Sequence, residues 1–131
     1  MTAIRKRLPD RRRSINRPVQ IGAITATGTV GFYPDDEQIG EIFLEAGKEG
    51  ADMQRFMADV ATLISIALQY GAPIERLAHS MGRMPLDMVR PEDLDGRPKM
   101  GPASPVGHVL DWLLALEAEV MAQAKEARVA E

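Results

Sequence analysis

The stretch GEIFLEAGKEGADMQRFMADVATLISIALQYGAP, residues 40–73, decides the fold. Its start reads as a strand, Glu41 to Ala46, with Ile42 and Leu44 on one face and Phe43 on the other. A glycine-bracketed connection follows, and then one long helix. Met53, Phe56, Met57, Val60, Leu63, Ile64, Ala67 and Leu68 recur at steps of three and four, which places them on one broad apolar stripe. Asp52, Arg55, Asp59, Thr62 and Gln69 are expected on the opposite, solvated side. Asp52 is the expected N-cap, its carboxylate accepting from N–H groups that the first turn leaves unpaired. Gly71 can take the left-handed conformation that ends a helix, and Pro73 cannot donate to continue it. About eighteen residues at roughly 1.5 Å each make a rod of about 27 Å, nearly the width of a small domain. The rest of the chain has to pack against it.

On the N-terminal side, Val19 to Tyr33 is rich in β-branched and aromatic residues and interrupted by Gly22, Gly28 and Gly31. It predicts two strands with a turn or bulge near Ala26-Thr27-Gly28. Pro34 to Gly40 is a polar turn. On the C-terminal side, Pro73-Ile74 opens a short helix with Ile74, Leu77, Ala78 and Met81 on its apolar face. Residues 83–104 form a loop punctuated by proline and glycine. Ser104 then caps a third helix with Pro105 at its permitted first position. Val106, Val109, Leu110, Leu113, Leu114, Leu116 and Val120 supply its inner face. The expectation is an α+β fold: a small two- to three-stranded antiparallel sheet packed against a long central helix, with a short second helix and a long C-terminal helix. Residues 1–18 form a basic, mobile arm, 19–121 one domain, and 122–131 a polar helical tail.

The 131 residues suffice for one domain with one core. At 45% apolar and 27% charged the composition is globular. No Cys is present, which removes disulfides, thiolate nucleophiles and thiolate metal sites together and fits a cytoplasmic protein. No run reaches membrane-spanning length. The net charge of −3 hides an asymmetry. Residues 1–17 hold seven cations (Arg5, Lys6, Arg7, Arg11, Arg12, Arg13 and Arg17) against Asp10 alone. This arm can seek phosphates, giving a salt-sensitive, sequence-independent contact with nucleic acid, or it can fold back on the acidic body. No aromatic residue is interleaved in it for base stacking.

No catalytic constellation is visible. His79 and His108 lack metal-ligand spacing. Ser14, Ser65, Ser80 and Ser104 have no nucleophile-elbow context. Asp35-Asp36-Glu37 lacks the alternating ligands of a calcium loop. Gly47-Lys48-Glu49-Gly50 puts Lys48 just before a helix start, where N–H groups favour anions, but the phosphate-loop spacing is missing and Glu49 and Asp52 oppose an anion. Lys48 joins the arm cations as a candidate phosphate contact. An enzymatic reading would use the acidic face of the long helix, Asp52, Asp59 and Thr62, which is more simply a solvated face.

Several segments carry a family resemblance. Arg7-Leu8-Pro9-Asp10-Arg11-Arg12, Gly31-Phe32-Tyr33, Gly40-Glu41-Ile42-Phe43-Leu44, Lys48-Glu49-Gly50, Ile64 to Pro73 and Pro105 to Leu113 resemble the segment near the C-terminus of adenosylcobalamin-dependent ribonucleotide reductases, part of the TSCPD domain family. The likeness covers about residues 7–116. Many stand-alone members of the family carry cysteines, and the positions of this chain that resemble their Gly-Ile-Arg-Cys-Pro and Thr-Ser-Cys-Pro-Asp read Gly82-Arg83-Met84-Pro85 and Pro102-Ala103-Ser104-Pro105-Val106. Met84 and Ser104 stand in the place of thiols. The resemblance therefore implies an accessory domain related to deoxyribonucleotide synthesis and DNA replication, without the reaction, a cofactor or a metal. Such a domain would pair with itself, a dimer being favoured, or with a reductase or replication protein. Val109, Trp112, Leu113, Leu116 and Val120 are the candidate interface.

Overall fold

The computed structural model describes residues 4–86 and 99–129. Three strands, β1 (Ser14–Ile21), β2 (Ile24–Phe32) and β3 (Ile39–Glu45), form an antiparallel meander with β2 in the centre. The helices α1 (Ala51–Gln69) and α2 (Ile74–Ser80) follow. Two short strands, β4 (Arg83–Pro85) and β5 (Met100–Pro102), pair with each other, and α3 (Pro105–Val129) closes the chain. The α+β class, the three-stranded sheet and the three helices agree with the sequence.

One side of the sheet and the three helices make the core. Val19, Ile21, Ala26, Val30, Ile42 and Leu44 point inward from the sheet. Met57, Val60, Ile64 and Leu68 meet them from α1, and Val109, Leu110, Leu113 and Leu116 from α3. Ile74 and Ala78 of α2 complete the cluster. Each fully buried Leu, Ile or Met contributes about 1.5–3 kcal/mol.

The turn between β1 and β2 lies at Gly22-Ala23, not near Ala26 to Gly28, and β1 begins at Ser14 rather than at Val19. The reason is backbone conformation. A two-residue hairpin needs a left-handed first position, and Gly22 supplies it at φ 61°. Ala26 and Gly28 are instead inward-facing positions of the central strand, where Trp112 lies against Gly28.

Helix α1 corrects three further expectations. Its N-cap is Gly50, with no side-chain cap, and Asp52 sits exposed in the first turn, where its charge complements the helix dipole. Phe56 and Leu63 are exposed, while Ala61, Ser65 and Gln69 are buried. The buried face is thus rotated toward β3. Ser65 and Gln69 are buried because α1 runs along the free edge of that strand and satisfies its backbone. Ser65 Oγ accepts from Ile42 N–H at 2.9 Å and donates to Ile42 C=O at 3.1 Å. Gln69 Nε2 donates to Gly40 C=O at 3.0 Å, and Gln54 Oε1 accepts from Ala46 N–H at 3.3 Å. An open strand edge is a template for aggregation, and a helix laid along it is one way proteins cover it. Among the described residues no buried side-chain polar atom lacks a partner.

The end of α1 follows its sequence. Gly71 adopts φ 95°, its N–H bonds to Leu68 C=O at 2.9 Å, and Ala72 N–H bonds to Ala67 C=O at 3.0 Å. This is the Schellman arrangement, which closes the last turn on itself. Ser104 caps α3 as expected, its Oγ accepting from Gly107 N–H at 3.1 Å.

Candidate functional site

The N-terminal arm was the first sequence candidate, and its cations divide into two groups. Arg12 lies over the outer side of the sheet and forms an ion pair through Nε and Nη2 with the buried carboxylate of Glu41, itself seated over Gly31. Lys6 bonds Asp35 at 2.9 Å and lies 4.5 Å from the centre of the Tyr33 ring. The Lys6 hydrogen bond holds Asp35 below the usual carboxylate value, and Asp35 in turn raises Lys6. Arg17 reaches Glu119 of α3 at 3.1 Å. Arg5 donates to Gln69 Oε1 at 2.6 Å, and Lys6 N–H bonds to Gln69 C=O. So residues 5–17 are laid along the acidic body. Arg5, Arg7, Arg11, Arg13 and Lys48 have no carboxylate partner among the described residues.

The candidate interface on α3 is largely spent inside the chain. Val109, Leu113 and Leu116 are core residues, and Trp112 packs on β2. The helical period placed these residues on one face correctly; the sheet of the same chain covers that face. Val120 alone of the five borders a groove.

That groove, of about 830 Å³, lies between the β2–β3 turn, the α1–α2 turn and the C-terminal half of α3. Its apolar lining includes Ile39, Leu68, Pro73, Ile74, Val120 and Met121. Asp36, Glu37, Glu75 and Glu117 place carboxylates around it, and Lys125 and Arg128 place cations. The β2–β3 turn is held by Glu37 N–H to Tyr33 C=O at 2.8 Å and Tyr33 N–H to Gln38 C=O at 2.9 Å. Burial, with a smaller contribution from the nearby Glu75 charge, raises the Glu117 pKa above the usual 4.5. A raised folded-state pKa means that the folded chain holds this proton more tightly than the unfolded chain. The Glu117 contribution to stability is then most favourable below 4.5 and declines as pH rises through the window above it. Replacing Glu117 by Gln is expected to raise the thermal midpoint at pH 7, with the gain vanishing near pH 4, in melts followed by circular dichroism. In the sequence Glu117 stands four residues from both Leu113 and Met121, a carboxylate on an otherwise apolar face of the helix, but nothing local marks a groove there.

The remaining sequence candidates stay apart. His79 is exposed on α2 and His108 is half-buried at the start of α3. Asp52 pairs with Arg55 at 3.7 Å, Asp59 is exposed two turns along, and Thr62 donates to Ala58 C=O. No group of three or more metal-ligating His, Asp or Glu occurs among the described residues, and no described helix is long and apolar enough to cross a membrane.

The two segments at which the resemblance implies thiols meet at the junction of β4, β5 and α3. Met84 pairs with Gly101 in the ladder and is exposed. Ala103 N–H bonds to Gly82 C=O at 3.1 Å, which brings the two motif segments side by side. Arg83 reaches across to α3 in a two-point contact with Asp111, both N···O distances 2.9 Å.

The family model described as the TSCPD domain matches residues 3–113. The chain belongs to the TSCPD domain family. Among similar proteins, the vitamin B12-dependent ribonucleotide reductase of Bradyrhizobium diazoefficiens is 37% identical over 71 residues, 54% of this chain and 6% of that protein. The enzyme of the same name from Rhodopirellula baltica is 41% identical over 71 residues, 54% of this chain and 7% of its own length. That of Streptantibioticus cattleyicolor is 38% identical over 72 residues, 55% of this chain and 12% of its own length. This TSCPD chain therefore corresponds to a small part of those proteins. No solved structure matches it.

Proposed function

We propose that this TSCPD chain is a non-catalytic accessory domain of deoxyribonucleotide synthesis in the cytoplasm, acting by contact with a second copy or with a reductase. The observation that carries the reading is the junction of β4, β5 and α3. Both positions where the family resemblance implies thiols fall there, and the chain fills them with Met84 and the helix-capping Ser104. The junction is well framed in this chain: the ladder, the Arg83–Asp111 contact and the Ser104 cap on α3 hold it together. A framed junction without thiols is suited to binding. The relatives' names supply the pathway, and the lack of Cys in the sequence supports a role by contact.

Light scattering during size-exclusion chromatography tests the reading, with the purified protein alone and mixed with a vitamin B12-dependent ribonucleotide reductase. The expected result is self-association, co-elution with the reductase, or both. The protein given adenosylcobalamin, a ribonucleotide and a dithiol is expected to form no deoxyribonucleotide. Turnover by the protein alone, or a strict monomer that leaves the reductase untouched, would overturn the proposal.

A further inference from the structure

The groove beside α3, at about 830 Å³, falls within the roughly 300–1,000 Å³ range of small-molecule sites. Its charges are sorted by position. Glu117 lines it from α3 and Glu75 from α2, close enough for the Glu75 charge to disfavour ionisation of Glu117. Glu117 is half-buried, and neither carboxylate has a cation within ion-pair distance among the described residues. The cations of the groove, Lys125 and Arg128, stand further along α3, about 12 Å and 16 Å from Glu117 at the helical rise of 1.5 Å per residue. Exposed charges that far apart are largely screened, since the Debye length is about 8 Å at physiological ionic strength. On the remaining wall Asp36 is opposed by Lys6 at 3.8 Å, and Glu37 adds another carboxylate. The end of the groove between α2 and α3 is therefore locally anionic. Residues three and four apart share a helix face, so apolar Val120 and Met121 lie directly beside Glu117.

The geometry points to a site for a small organic cation: an ammonium seated between Glu75 and Glu117, with its hydrocarbon body on Val120, Met121 and Ile74. Two carboxylates near each other, one of them partly removed from water, are unfavourable while unpaired. A shared ammonium relieves both the repulsion and the desolvation, and its three N–H donors can serve both carboxylates at once. Met121 is 66% exposed, so a hydrocarbon body laid on it removes apolar surface from water. A metal ion fits less well. It takes six or more oxygen ligands, and no group of three or more possible ligands occurs among the described residues. An anion would be drawn instead to Lys125 and Arg128 on the exposed end of α3, away from the apolar floor. Such a site is separate from a contact with a second copy or a reductase, and neither requires the other.

The test uses 4-phenylbutylamine as the probe and 5-phenylpentanoate, which carries a carboxylate on the same phenylbutyl body, as its opposite-charge control. Nuclear magnetic resonance of the ¹⁵N-labelled full chain at pH 7 should show saturable amide shifts around Glu75, Glu117 and Met121 with the amine. A ligand this small binds in about the millimolar range, so the titration runs to about 20 mM. The carboxylate control should leave those amides unmoved. Glu117→Gln is expected to stabilise the fold at pH 7, so its loss of binding, at least about fivefold, cannot be read as unfolding. Glu75→Gln, a change at an exposed residue, should weaken binding as well. Bound amine favours the ionised form of Glu117, so the ¹³C titration of its carboxyl should move to lower pH when the amine is present. No saturable shift with the amine, equal binding of the carboxylate control, or binding indifferent to both Gln variants would overturn the inference. Any of these would leave the accessory reading standing, because that reading is tested by co-elution and light scattering.

Discussion

Replacing Arg12 by Ala is expected to lower the free energy of unfolding by about 3 kcal/mol or more, a large fraction of what a domain of this size possesses. The side chain of Glu41 is only 10% exposed, closed in by Arg12 above and Gly31 below. Removing the guanidinium leaves a carboxylate unpaired and open to water only on the side Arg12 had covered, and that residual charge, rather than the lost attraction, sets the cost. A control follows from the same physics. Glu41→Gln in the Arg12→Ala background removes the stranded charge and should recover much of the loss, although Glu41→Gln alone should be destabilising. Urea unfolding of the four proteins gives the coupling directly. If Arg12→Ala shifts the transition by less than about 0.5 kcal/mol, the value of an ordinary surface change, then Glu41 reaches water and the arm is not part of the fold's stability.

This result would also settle what the basic arm is for in structural terms. Read as sequence, Arg11-Arg12-Arg13 is a charge run, and such runs are often solvated. The three residues are not equivalent in the fold. Arg12 is committed to Glu41, Arg13 lies 5.5 Å from the centre of the Phe32 ring, and Arg11 is exposed. Nothing local separates them, because the distinction comes from a carboxylate 29 residues away. The same limit applies to α1. Apolar period alone put Phe56 and Leu63 inside and Gln69 outside. The period gives the width of the apolar face but not its direction, and here α1 is turned so that Gln54, Ser65 and Gln69 reach the edge of β3. Hydrogen-bonding demand at a strand edge is a tertiary requirement, invisible to a count of apolar steps. Features set within a few residues were legible: the left-handed Gly71, the cap at Ser104 and the opposite facing of Ile42 and Phe43. The groove around Glu117 was not, since its three walls are far apart in the chain.

The second large effect is expected at Gly28, and its sign should depend on residue 112. In a strand, Gly is ordinarily the weaker choice, and Ala in its place would gain roughly 0.5–1 kcal/mol from reduced unfolded-state entropy. At Gly28 a Cβ would stand 2.5 Å from Trp112 Cη2 and 3.0 Å from Cζ3. The indole must then tilt away, and α3 moves with it or loses its contact with the sheet. Overpacking of this kind costs about 1–3 kcal/mol for Gly28→Ala, and Gly28→Val should exceed it because its branches extend further into the ring. In a Trp112→Leu background the obstruction is gone, and Gly28→Ala should become neutral or stabilising. Trp112→Leu itself should be destabilising, since it removes apolar area from the sheet–helix contact. Thermal or urea unfolding of wild type, both single variants and the double variant measures the coupling. Its favourable sign distinguishes a steric lock from a general weakness of the central strand. Additive losses would mean that Trp112 does not rest on Gly28. That outcome would leave Trp112 free of the sheet and open to the role of candidate interface residue.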